Sequence, residues 1–196
     1  MPATIPIESD RRLWITATTG VCGAGLLASA VPFVASLAPS ERARALGGPV
    51  EVELRGLPPG ELQTVQWRGK PVFILRRSQD MLDMLDRHDD LLADSGSRRS
   101  DQPGYARNAS RSAKPEIAVL EGVCTHLGCI PLFRPTPGAA DIGAAWPGGF
   151  YCPCHGSKFD LAGRVFKGVP APTNLPVPPY QFASDSTLVI GVDPKT

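Results

Sequence analysis

The pattern of polar and apolar positions changes character near residue 50. From Leu13 to Ser40, "LWITATTGVCGAGLLASAVPFVASLAPS", no side chain is charged and no polar helical face can be drawn. Roughly 20 apolar residues cross a bilayer, and a run without a polar face does not suit a soluble helix, so the pattern predicts a membrane anchor over 13–39. A cleaved signal peptide ending at Ala28-Ser29-Ala30 is the competing reading, but the apolar run continues well past that point. Within the span, Cys22 reads as a small packing residue and Pro32 as a kink. Ser9-Asp10-Arg11-Arg12-Leu13-Trp14 looks like a twin-arginine export signal. The arginine pair also keeps residues 1–12 on the cytoplasmic side and sends the remaining chain across the membrane, although Arg42 and Arg44 beyond the span make that asymmetry modest. The polar stretch 40–49, ending in Gly47-Gly48-Pro49, predicts a flexible hinge.

Beyond Val50 the period shortens to two. "VEVEL" at 50–54, "LQTVQW" at 62–67 and "PVFILR" at 71–76 read as strands, the last two joined by a turn at Trp67-Arg68-Gly69-Lys70-Pro71, so a meander of antiparallel strands is expected. "SQDMLDMLDRHDDLLAD" places apolar residues at 81, 82, 84, 85, 91 and 92 behind a Ser78 N-cap, which predicts one amphipathic helix. His88, among aspartates on that helix, reads as a solvated surface residue. The polar stretch 94–115 reads as an exposed loop and a partner surface, and "EIAVLEGV" at 116–123 as another strand.

Composition narrows the class. A chain of 196 residues holds one globular domain and an appendage, and 20 glycines with 21 prolines favour short strands and many turns over a helical bundle. With 20 basic against 19 acidic residues, nothing suggests a nucleic-acid partner. The fold class is therefore all-β with an N-terminal transmembrane helix.

The chemistry concentrates in "CTHLGC" at 124–129 and "YCPCHGSKFD" at 151–160, which hold four of the five cysteines and two of the three histidines. Cys124 and His126 are separated by one residue and Cys152 and His155 by two, so each pair can present two ligand atoms from one tight loop. Two thiolates and two imidazoles suit either tetrahedral zinc or an iron–sulfur cluster. The order does not match the usual zinc-finger spacing, yet a zinc-stabilised interaction module stays open on the residues alone.

The arrangement C-x-H and C-x-x-H resembles the Rieske iron–sulfur proteins. "CTHLGC", "CPCHGS" and the tail "GRVFKGVPAPTNLPVPPY" at 163–180, behind an anchor and a tether, resemble the Rieske subunits of bacterial ubiquinol-cytochrome c reductase, the cytochrome bc complex. That resemblance implies three stacked antiparallel sheets, with a cluster-binding subdomain over about 122–175 inside a periplasmic domain spanning 50–196. It implies one 2Fe-2S cluster, with Cys124 and Cys152 on the buried iron and His126 and His155 on the outer one. Cys129 and Cys154 would pair as a disulfide, which Rieske ferredoxins of oxygenase systems generally lack.

Ser157 matches the serine that donates to a cluster sulfur. Phe159 stands where many members have a tyrosine donating to a ligand cysteine. Pro170-Ala171-Pro172 matches the loop covering the cluster, and the stretch 130–150 is a Pro- and Gly-rich insertion, longer than in mitochondrial members. His155 would hydrogen-bond the quinol, and Leu127 would form the docking tip on the cytochrome b subunit. The remaining implied partners are a cytochrome c subunit, ubiquinol or another quinol, and the membrane, in a dimeric complex of the bacterial inner membrane. A Rieske subunit of another periplasmic oxidoreductase, such as an arsenite-oxidase-like complex, is the alternative, and "KGVPAPTNL" argues against it.

Overall fold

The computed structural model describes residues 7–41, 43 and 47–193. The chain divides into an N-terminal unit and a second unit beginning at Leu46. In the first, helix α1 spans Ile7–Ser36 with Pro32 inside it, and its apolar part is a candidate membrane span over Asp10–Ser36. Leu13, Trp14, Leu26, Leu27 and Phe33 all stand exposed along it. Hydroxyls on this helix bond back to its own carbonyls, Thr16 to Arg12, Thr18 to Trp14, Ser29 to Leu26 and Ser36 to Phe33. Such internal satisfaction is what hydrocarbon demands of polar groups. The expected cytoplasmic segment 1–12 and hinge 40–49 fall partly outside the described residues, at 1–6, 42 and 44–46.

The second unit is built from three antiparallel sheets of three strands each. One joins β1 (Val50–Glu53), β9 (Thr187–Ile190) and β8 (Tyr180–Phe182), and a second joins β2 (Leu62–Trp67), β3 (Lys70–Arg76) and β4 (Ile117–Glu121). The third joins β5 (Leu132–Arg134), β6 (Gly149–Cys152) and β7 (Ser157–Phe159). Strand β3 is central, and Val72–Leu75 lie buried on both faces, as do Ile117–Leu120 of β4. Such near-continuous apolar runs mark strands covered on both sides. Phe73 stacks on Phe150 with ring centroids 5.3 Å apart, which fastens the second sheet to the third. Gly149 has φ +147°, and a side chain there would run into the Phe159 carbonyl, so only glycine lets β6 close on β7.

Three expectations are corrected between residues 78 and 115. The helix, α2 (Gln79–Leu85), stops at Leu85 instead of continuing to Asp94, and Asp89–Leu91 form only a 3-10 turn. The buried Arg164 guanidinium captures the Leu85 carbonyl at 2.5 Å, and the chain then turns so that Leu92 pairs with Phe166. His88 is not solvated: it is 6% exposed, and its Nε2 lies 3.3 Å from the Asp160 carboxylate. Nor is 94–115 simply an exposed loop. Asp94, Ser97, Gln102, Arg111 and Ser112 are buried, and each finds internal hydrogen-bond partners. Asp94 accepts from the Arg98 and Arg99 amides and the Ser100 hydroxyl, and Gln102 links Arg111 to the Ser97 carbonyl.

These segments converge on the turn 160–164. Asp160 Oδ1 accepts from the Ala162 and Arg164 amides, and Oδ2 from Arg164 Nε at 2.7 Å. Arg111 donates to the Ala162 and Gly163 carbonyls, and Arg77 to Leu161. Burial pushes Arg77 and Arg111 down to about 10, with Asp160 partly holding each up. Burial alone would raise the Asp160 carboxyl, but the His88 hydrogen bond and Arg164 outweigh it and hold it below the usual range.

Replacing Asp160 by Asn leaves buried cations uncompensated, a change that costs about 3–5 kcal/mol. Denaturant unfolding of the cluster-loaded protein at pH 7 should show that loss. Because the folded carboxyl titrates below its unfolded value, its contribution is full above about pH 4 and fades as pH falls through the folded value. The gap between wild type and Asp160→Asn should therefore narrow only in that acid range.

Candidate metal centre

Strand β4 carries the chain through Gly122 into a loop whose base is closed by two backbone bonds. The Cys124 amide donates to the Cys129 carbonyl at 2.8 Å, and the Gly128 amide to the Cys124 carbonyl at 3.0 Å. Thr125, His126 and Leu127 therefore form the apex, with Gly128 at φ +84° turning the chain back. The second loop is the β6–β7 hairpin. Cys152 faces Ser157 across the strand pair, and the Gly156 amide donates to the Cys152 carbonyl at 2.9 Å, so Pro153, Cys154 and His155 occupy its tip.

A disulfide between Cys129 and Cys154 joins the loops across a sequence separation of 25. Cys124 and Cys152 are left as free, buried thiols, 3% and 1% exposed. On the outer side the rings of His126 and His155 lie 4.7 Å apart and perpendicular. His155 is exposed, while His126 is half-buried and its Nδ1 has no hydrogen-bond partner among the described residues. The sulfurs of Cys129, Cys152 and Cys154 lie within 4.8 Å of one another, but the disulfide removes two of these as ligands. Burial pushes the Cys152 thiol up, and neighbouring Cys124 adds to this. A bound metal cation would favour the thiolate form that this burial disfavours at Cys152.

Two buried thiols on one side, two imidazoles on the other and an orphaned, buried ring nitrogen fit a 2Fe-2S group with one iron per like pair. A third wall closes the site. The Ala171 amide donates to Ser157 Oγ at 3.1 Å, which leaves the fully buried Ser157 hydroxyl hydrogen free to donate elsewhere. Pro170 and Pro172 are exposed and Ala171 is buried between them. Phe159 is fully buried, and Leu127 is 71% exposed.

Sequence reasoning missed several positioning groups. Thr125 Oγ1 donates to the Thr173 carbonyl at 2.7 Å, tying the first loop to the cover. Asn174 accepts from the Val165 amide and donates to the Asp94 carbonyl and the Ser97 hydroxyl. No local pattern announces these long-range contacts. The Asp160 turn did carry a signal, since Asp160-Leu161-Ala162-Gly163 is an Asx-turn sequence closed by glycine at φ +71°.

Residues 50–180 match the family described as the Rieske [2Fe-2S] domain. Over 183 residues, 93% of this chain and 88% of the relative, the sequence is 52% identical to the ubiquinol-cytochrome c reductase iron-sulfur subunit of Allochromatium vinosum. It is 39% identical over 192 residues, 97% of this chain and 98% of the relative, to the protein of the same name from Blastochloris viridis. Among solved structures, a chain of a hyperthermophilic respiratory complex III is 28% identical, with 90% of this chain and 98% of that chain covered and a TM-score of 0.48.

Removing the staple with Cys129→Ala and Cys154→Ala frees a loop of this size at a cost of about 3 kcal/mol. The two tips then separate more readily, so bound iron should be lost faster, read as decay of the visible absorbance in the presence of a chelator.

Proposed function

The chain belongs to the Rieske 2Fe-2S family, and from that membership we propose that it is the iron–sulfur subunit of a quinol-cytochrome c reductase, passing electrons from membrane quinol to a cytochrome c subunit. The 52% identity over almost the whole length to a bacterial subunit of that enzyme supports the complex. The observation that carries the chemistry is the exposed His155 ring at the tip of a disulfide-tied pair of loops.

When bound, a 2Fe-2S cluster with two imidazole ligands supplies a one-electron carrier in the range of about −150 to +300 mV. Cys124 and Cys152 would hold its inner iron, and His126 and His155 its outer one. The exposed nitrogen of His155 accepts the hydrogen bond of a quinol hydroxyl and takes its proton as the electron is delivered. Ser157 would donate its remaining hydrogen to a cluster sulfur, favouring the reduced form, and Phe159 packs where a tyrosine would offer a second donor. Pro170-Ala171-Pro172 keeps water off the third side.

Leu127, exposed between His126 and Gly128, packs on the cytochrome b subunit. The domain plan follows the electron route: residues 1–12 cytoplasmic, 13–39 in the bacterial inner membrane, 40–49 a hinge, and 50–196 a periplasmic head with its cluster-binding part over 122–175. The hinge lets that head move from cytochrome b to the cytochrome c subunit within a dimeric complex.

Electron paramagnetic resonance of the loaded protein, reduced with ascorbate alone and then with dithionite, tests the reading. The expected result is a full Rieske-type signal with ascorbate. A signal that requires dithionite places the potential too low for quinol and removes the proposal. In the same preparation Ser157→Ala should lower the midpoint potential and Phe159→Tyr should raise it, each by about 60 mV if the hydrogen bond favours the reduced form by about 1.4 kcal/mol.

A further inference from the structure

The insertion between β5 and β6 folds inward. Trp146 is 4% exposed, donates its indole N–H to the Arg134 carbonyl at 3.0 Å, and packs with Leu92 and Phe166 in a small apolar cluster of its own. Beside it opens a cavity of about 360 Å³. Ile142, Trp146 and Phe166 give it an apolar lining, and Lys158, Lys167 and Asp90 are its charged lining residues.

The two ammonium groups lack counter-ions. Lys158 Nζ reaches only the Ile142 carbonyl, at 3.4 Å, and Lys167 Nζ only the Asp90 backbone carbonyl, at 2.6 Å. Among the described residues no carboxylate stands within ion-pair distance of either. The neighbouring acids are committed elsewhere, Asp89 to Arg164 and Asp141 to Arg134. Asp90 is therefore a single negative charge against two positive ones, and each ammonium keeps donors to spare.

Apolar lining with surplus positive charge suits an anion that carries an apolar body. A soluble anion would leave the lining unused, and an uncharged lipid would leave the lysines unpaired. The volume lies at the small end of ligand sites, enough for a headgroup and the carbons next to it. The chain carries a candidate membrane span of its own over Asp10–Ser36, which makes membrane phospholipid the anion with an apolar body available to it.

We propose that this cavity binds the headgroup phosphate of an anionic membrane phospholipid, with Lys158 and Lys167 on the phosphate and the first acyl carbons over Trp146 and Phe166. Lys158 lies between Ser157 and Phe159 on β7, and Gly168-Val169, which also line the cavity, lead directly into Pro170 of the cover. A bound lipid therefore touches both the second loop and the start of the cover.

The test uses the full-length, cluster-loaded protein in phosphatidylcholine nanodiscs, titrated by calorimetry with dihexanoyl phosphatidylglycerol, dihexanoyl phosphatidylcholine and inorganic phosphate. The expected outcome is saturable binding of the phosphatidylglycerol, at least about tenfold tighter than either of the others and weakened at least about tenfold by Lys158→Gln with Lys167→Gln. Phosphate binding as tightly as the lipid, equal binding of the zwitterionic lipid, no saturable binding, or an unaffected double variant would each overturn it. Visible absorbance confirms that the variant keeps its cluster, and the comparison of three ligands on the wild type stands without any variant. Because no electron is moved, the result is independent of the ascorbate experiment.

Discussion

Both oxygens of Asp160 are occupied inside the protein, by two backbone amides on one side and by Arg164 and His88 on the other. In a low-dielectric interior such a carboxylate is tolerated only when its partners are in place, so those partners must be delivered together. They come from the segment just beyond α2, through His88, and from the turn itself. Arg77, just beyond β3, and Arg111, in the long polar segment, donate to carbonyls of the same turn. The turn follows β7 by one residue, and β7 is the exit of the second cluster loop. The outlying segments and the direction of that loop are thereby tied to the same turn.

This arrangement explains which parts of the fold could be read from the chain and which could not. Strand β2 occupies the predicted residues, and β3 departs by only one, because period-two burial is a local property of the strand. Helix α2 stops short of its periodic pattern because Arg164, 79 residues away, takes its last carbonyl. His88 sits among aspartates in sequence, but its partner lies 72 residues on. The segment 94–115 is polar in composition yet pinned by buried side chains, since hydrogen bonds made by Asn174 and Arg111 replace water at Asp94, Ser97 and Gln102. The insertion was legible as a loop from its Pro and Gly content, yet β5 and the inward Trp146 within it were not.

The metal centre was more legible, because cysteine and histidine at close spacing have few uses. Geometry adds what the motif lacks, a separation of roles across the site. The thiols face the core, where Phe150 and Phe159 exclude water, and the imidazoles face outward, where a partner can reach them. The β-sheet scaffold supplies the inner half and the loop tips the outer half.

The two cluster loops, joined at their tips by the disulfide, are also fastened from the side: Thr125 holds the Thr173 carbonyl and Ser157 receives the Ala171 amide. Three chain segments enclose the two thiols and two imidazoles as one braced frame, fixed before any charge moves. Donors and dipoles held in place do not have to rearrange when an electron arrives or leaves. The nuclear reorganisation accompanying electron transfer at such a frame is correspondingly small.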